Sequence, residues 1–236
     1  MRMDDDTFVI ETDKETADRF IVSKHYSRRQ GFFKKSFALV EKGYIQGIVV
    51  YGIPPLQVCK HAFKNRNFEL LELVRLVIQT PTRNAASILI GRSLRLLATP
   101  CAVVSYADSA WGHSGIVYQA TNWLYTGSTV SHDNLYIIDG KRIHPRTLAS
   151  KGITSPARWA KDNNIETVPP EPKHRYFQFC GTRHEKKKMI SALSYPLVKE
   201  YPKTDYSRYD DSEHISVQYY PDWLMPTEWL LPNENL

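Results

Sequence analysis

Between Val103 and Gly127 the chain reads VVSYADSAWGHSGIVYQATNWLYTG, a stretch dense in groups that can move a proton or hold an ion. An apolar run ends at Asp108. A glycine-rich break then holds Ser109, Gly112, His113, Ser114 and Gly115, and Tyr118, Gln119, Thr121, Asn122, Trp123 and Tyr125 follow. A carboxylate closing a buried strand can act as a base, bind a metal, or cap the next turn. A phenol such as Tyr118 can stack on a base or pass a proton, and it can equally be half-buried packing with its hydroxyl satisfied. His113 stands on the expected loop as an accessory group. We read this segment as the wall and floor of a site. Ser93 lies in mid-helix, where a hydroxyl most often returns to the carbonyl one turn earlier.

The basic residues form three groups: Arg28, Arg29, Lys34 and Lys35; Arg83, Arg92 and Arg95; and Lys173, Arg175, Arg183, Lys186, Lys187 and Lys188. The net charge of +6 conceals a stronger asymmetry, since two basic blocks sit between acidic ends. Residues 173–203 hold eight Lys and Arg against two acids, whereas 205–236 hold one against seven, which suits a polyanion partner. The interleaved Phe32, Phe33, Tyr176 and Phe177 add aromatic anchors to the bases. Cys59, Cys101 and Cys180 are odd in number and far apart, which argues against a disulfide framework and a cysteine-type zinc site and fits a reducing cytoplasm. No apolar run is long enough to span a bilayer, and the acidic N-terminus does not read as a signal peptide.

Positioning these groups calls for a sheet. TFVI at residues 7–10 reads as a strand. A helix from Lys14 to Val22 follows, capped by Thr12 or Asp13, with Ala17, Phe20 and Ile21 inward. SKHYSRRQGFFKKS has no period and reads as a loop holding His25 and Tyr26. SFALVEKGYIQGIVVYG reads as a hairpin turning at Lys42-Gly43. Residues 56–68 fit a short helix or an insert. Glu69–Ile78 is a buried strand, and Asn84 is placed to cap a helix from Ala85 to Leu97. That helix turns Ala85, Ile88, Leu89, Leu96 and Leu97 inward and Arg92 and Arg95 outward. Further strands are expected at 102–106, 123–127 and 136–138 and along HRYFQFC, with helices at 114–122, 155–162 and 184–193. TVPPEP reads as a rigid linker, so a catalytic unit of residues 1–172 precedes a basic, DNA-contacting extension of 173–236 whose acidic aromatic tail packs on the same body.

This alternation implies an α/β (α+β) fold, a central mixed sheet flanked by helices, and its order resembles the acyltransferase fold of the GNAT superfamily. There a helix N-terminus holds an anionic cofactor, and Asn84 and Ala85 occupy the matching place. TPTRNAAS stands where that superfamily has a glycine-rich loop.

KHYSRR, ELVRLVI, IGRSLRLL, SYAD, GHSGIVYQATNWLYTG, KHRYFQF and GTRHEKKK together resemble the Mom family of phage DNA-modification proteins, over roughly residues 20–203. The resemblance implies a GNAT-like enzyme that adds a methylcarbamoyl group to the exocyclic amine of adenine in double-stranded DNA, protecting it from restriction in the host cytoplasm. It implies His25, Tyr26, Ser93, Asp108 and Tyr118 as functional positions in one cleft. It also implies iron(II), for which His25 and Asp108 are the expected ligands, and an acyl-CoA or other small acyl or glycyl-type donor. The DNA-binding set would be Arg28, Arg29, Lys34, Lys35, Arg92, Arg95, Arg183, Lys186, Lys187 and Lys188. Two other readings fit the same residues: an acyl-CoA-dependent N-acyltransferase on a protein or small amine, and a non-enzymatic DNA-binding module.

Overall fold

The computed structural model describes residues 7–24, 33–129 and 134–203, and it starts on strand β1 (Thr7–Thr12). Asp13 opens the first helix, its Oδ1 accepting the Thr16 amide at 2.8 Å, the bond expected of an N-cap. Helix α1 (Lys14–Lys24) buries Ala17, Phe20 and Ile21 as its spacing predicts. Strands β2 (Lys35–Glu41) and β3 (Tyr44–Gly52) form the expected hairpin. Its turn needs two positive φ angles, and Lys42 at 52° and Gly43 at 79° supply them. Helix α2 (Leu56–His61) settles the ambiguous segment as a short helix, and β4 (Glu69–Ile78) has the predicted bounds.

Helix α3 (Ala85–Leu96) departs from expectation in two ways. Asn84 sits in the left-handed region at φ 64° and makes no side-chain cap. The buried stripe runs through Ala85, Leu89, Ile90, Ser93 and Leu94, while Leu96 is 49% exposed. At about 100° per residue Leu96 lies far round the helix from Leu94. Then come β5 (Cys101–Asp108), a single 3₁₀ turn over Ser109–Trp111, α4 (Ile116–Ala120) and β6 (Leu124–Ser128).

An insert follows, with its own small core of Tyr136, Leu148 and Ala160. Strands β7 (Leu135–Ile138) and β8 (Lys141–Ile143) make the expected hairpin, and α5 (Pro145–Ser150), α6 (Pro156–Asp162) and β9 (Thr167–Val168) complete it. The chain returns through β10 (Lys173–Cys180) into α7 (Arg183–Ala192), whose Thr182 and Glu185 form a capping box.

The main sheet runs β1-β2-β3-β4-β5-β10-β6, mixed because β4 and β5 are parallel and the other pairs antiparallel. This is the fold class expected. One face packs under α3 and α4, around Phe37, Leu71, Leu89, Val103, Trp123 and Tyr176. The other packs under α1 through Ala38, Ile48 and Val77, and under α2 and α7 through Val104, Phe177 and Met189. β10 lies between β5 and β6, so a division at residue 172 does not mark an edge of the sheet. Among the described residues no helix is long and apolar enough to cross a membrane.

Candidate active site

β4 and β5 run side by side only from Glu69↔Cys101 to Glu72↔Val104. Beyond that rung β4 follows β3, β5 follows β10, and a wedge opens between them. The β3–β4 register slips at the same place: Tyr51 faces Leu73 and Val50 faces Arg75, leaving Val74 as the extra residue of a bulge. Side chains cap the carbonyls exposed there. Ser105 Oγ donates to the Leu73 carbonyl at 3.0 Å, and Arg75 Nη1 donates to the Val74 carbonyl at 2.6 Å. The wedge widens into a cavity of about 580 Å³ lined by Arg75, Tyr106, Asp108, His113 and Tyr118 and by Asn84 and Ser87 at the start of α3. That volume suits a small-molecule site.

Asp108 and Tyr118 therefore line one recess, but they reach it from opposite sides of the sheet. Strand alternation sends Tyr106 and Asp108 to the face of α2 and α7, whereas Ala107, Ser105 and Tyr118 belong to the face of α3 and α4. The gap between the parted strands joins them. Both oxygens of Asp108 are engaged: Oδ1 accepts the Ala110 amide at 3.1 Å and Oδ2 meets Lys173 Nζ at 2.7 Å. The cap reading is realised alongside the position in the cleft. Tyr118 is buried, its hydroxyl 2.8 Å from Ser105 Oγ and its ring 5.0 Å from Trp123 and 5.3 Å from Tyr176. The loop wall is held by Tyr176, whose hydroxyl donates to the Ser114 carbonyl and accepts from Gln119 Nε2 at 3.2 Å.

Other expected residues lie elsewhere. Ser93 is in the core, bonded to the Tyr51 hydroxyl at 2.7 Å and to the Ile90 carbonyl at 3.1 Å, so its hydroxyl is consumed in packing α3 on the sheet. Ala85 faces the core and its amide donates to the Thr82 carbonyl at 3.2 Å, which removes it from any anion grip. The same loop is tied by Thr82 Oγ1 to the Glu41 carboxylate at 3.0 Å, an acid beside the expected anion site. Lys34 is paired with Glu69, and Lys35 with Glu11 at 3.3 Å. Arg92 donates to the Thr7 carbonyl at 2.7 Å, and Arg95 is exposed on the same helix. Arg183, Lys186, Lys187 and Lys188 are exposed on α7. His25, Tyr26, Arg28 and Arg29 lie outside the described residues, as does the tail beyond residue 203. Among the described residues no three His, Cys, Asp or Glu side chains come together to hold an ion. The only expected iron ligand among them, Asp108, is already paired with Lys173.

Sequence reasoning missed the charged groups at the apex. Glu72 stands on the last paired rung of β4 and β5. Burial pushes its carboxyl up to about 7, with Arg75 and Lys173 drawing it down. Burial also raises the Tyr106 phenol, Glu72 adding to the effect. Arg175 stacks 3.4 Å over the Tyr195 ring and donates Nε to Thr126 Oγ1 at 2.9 Å. Two charges inside the apolar run ELLELVRLVI were the available signal for Glu72 and Arg75.

The profile of the Mom protein family matches residues 6–203. A curated relative, the methylcarbamoylase mom of Escherichia phage Mu, is 28% identical over 195 residues, 76% of this chain and 79% of that protein. Among solved structures, an agmatine N-acetyltransferase overlays 74% of this chain and 100% of its own at TM-score 0.43 and 14% identity. An N-acetyltransferase from Staphylococcus aureus overlays 73% and 98% at TM-score 0.42 and 11% identity.

Proposed function

The chain belongs to the Mom protein family, and we propose that it is a phage-type DNA modification enzyme, acting in the host cytoplasm to transfer a methylcarbamoyl group to the exocyclic amine of adenine in duplex DNA. One observation supports this beyond family membership. The wedge between β4 and β5 ends in a recess lined by a carboxylate, two phenols, an imidazole and a guanidinium.

The chemistry sets the demands. The adenine amine is paired and stacked, and its lone pair is delocalised into the ring. The recess lies between parted strands, so the base must leave the stack to reach it, at a cost of about a few kcal/mol. The amine nitrogen then bonds to the carbonyl carbon of a small acyl-type donor, the bond from that carbon to the donor's carrier group breaks and the carrier leaves with the electron pair, and a base takes the amine proton. Asp108 serves once Lys173 turns away, and the Tyr118 phenol, held by Ser105, orients the amine through its hydroxyl. Arg75 offers a fixed cation to oxygen charge developing on the transferred carbonyl.

Co-expression with a plasmid followed by intact-mass analysis of its nucleosides tests the reading. A methylcarbamoyl deoxyadenosine is expected, lost with Asp108→Asn. Unmodified nucleosides alongside an acylated protein, or no product at all, would sink it.

A further inference from the structure

The connection between β3 and β4 starts beside the apex of the wedge and has no role so far. Gly52, the last residue of β3, pairs with Glu72 at the apex of the wedge. Val58 of α2 belongs to the core cluster against which Tyr106 of the cavity lining packs. The connection opens with Ile53-Pro54-Pro55-Leu56. Leu56 is 65% and Ile53 59% exposed, and no large apolar side chain among the described residues is more exposed. Water should drive such side chains inward, and a surface tip that keeps them out invites a partner. The tip is firmly mounted. Cys59 Sγ donates to the Pro54 carbonyl, and Val58, Ala62 and Phe63 sit in the core with Phe177 and Phe179. The Lys64 amide also donates to the Ala192 carbonyl and Ser194 returns one to Ala62.

The charge along the connection itself has one sign. Residues 53–68 contain Lys60, His61, Lys64 and Arg66 and no acid. Those four side chains are exposed, and no described acid forms an ion pair with Lys60, Lys64 or Arg66. The bonds from Lys64 and Ser194 seat α2 beside the end of α7, which carries the exposed Lys186, Lys187 and Lys188. Apolar tips that unstack bases, with cations for the flanking phosphates, are a known way to hold a deformed duplex.

We infer that residues 53–66 form a DNA-engaging wedge, Ile53 and Leu56 entering the base stack while Lys60, Lys64 and Arg66 hold phosphates beside the cleft. This rests on the DNA reading above and adds the surface through which the duplex arrives. The full chain is compared with two variants, Ile53→Ser with Leu56→Ser, and Lys60→Ala with Lys64→Ala and Arg66→Ala. Each is titrated against a duplex carrying 2-aminopurine, by anisotropy and by fluorescence, over a KCl series. Unchanged melting curves qualify the variants, and Gln replacements stand in where Ala variants melt early. The charge variant is expected to bind about ten-fold or more weakly, with the log–log salt slope reduced by about 2.7. The wedge variant is expected to keep affinity within about three-fold and to lose the fluorescence rise that reports unstacking. An unchanged slope, a retained rise, or stronger binding of polyglutamate than of duplex through the same residues overturns the inference. Plasmid modification that survives the charge variant undamaged also overturns it, leaving the enzymatic reading intact. Loss of duplex affinity in a chain that modifies no nucleoside upholds the wedge and removes the enzymatic reading instead.

Discussion

Ser93 and Glu72 show how differently two polar side chains in one fold are used. Ser93 was a functional position by resemblance, yet its hydroxyl lies 2.7 Å from Tyr51 in the core. Ser93→Ala strands the buried Tyr51 hydroxyl, and urea unfolding should show a loss of about 1–3 kcal/mol. Ser93→Ala with Tyr51→Phe should recover most of it, and nucleoside modification by the folded protein should persist in both. Lost modification at unchanged stability would restore a catalytic role to Ser93. Glu72 has the opposite character: burial raises its carboxyl to about 7, above its ordinary value of 4.5. The folded state then binds this proton more tightly than the unfolded state, so the group favours folding below its ordinary value. That advantage is lost as pH climbs through about 7. Glu72→Gln should therefore stabilise the chain by about 3 kcal/mol at alkaline pH and leave it unchanged in acid, read from unfolding midpoints across pH. Equal midpoints at both ends would mean that the carboxyl is not held this way.

Strands and helices announced themselves by period and by turn chemistry, which is why the Lys42-Gly43 hairpin and the bounds of β4 were legible. Pairing between distant strands has no such signal. Nothing in HRYFQFC says that it will slot between β5 and β6, or that Cys180 will sit across from Cys101 as a free thiol. The opposite faces of Asp108 and Tyr118 were hidden for the same reason. Counting by two sets the face of each strand residue, but the turn after Asp108 and the helix α4 that carries Tyr118 break the count. The candidate site was legible as a segment and not as a surface, because Arg75, Glu72 and Lys173 come to it from other elements. The wall of that surface depends on Gly115, whose φ is +81° and where an added Cβ would stand 2.5 Å from the Tyr176 ring. Gly115→Ala must strain the loop and displace the ring together. We expect a loss of about 2–4 kcal/mol by urea unfolding, with modification falling further than stability. A variant of parental stability would show that the loop shifts freely and does not form a fixed wall.

At the scale of the molecule, the proposed activity on DNA poses the question of which side of the sheet would meet the duplex. The face under α3 offers Arg92 and Arg95, of which Arg92 already serves the Thr7 carbonyl. The face under α2 and α7 offers Lys60, Lys64 and Arg66 with Arg183, Lys186, Lys187 and Lys188, all exposed. α7 starts beside Cys180, while Asp108 stands opposite Lys173 at the other end of β10. Seven steps along a strand span about 23 Å, and a duplex rising about 3.4 Å per base pair covers that in about seven pairs. One duplex lying along this face would thus touch α7 at one end and offer a base to the wedge at the other. Replacing Lys186, Lys187 and Lys188 by Ala should then weaken binding to every duplex alike and lower the salt slope by about 2.7. Arg92→Ala with Arg95→Ala should leave the slope where it was, since those bases face the other way. Anisotropy titrations over a KCl series measure both. If the α3 variant flattens the slope and the α7 variant does not, the duplex lies on the opposite face, and the route to the cleft must be drawn past the start of α3.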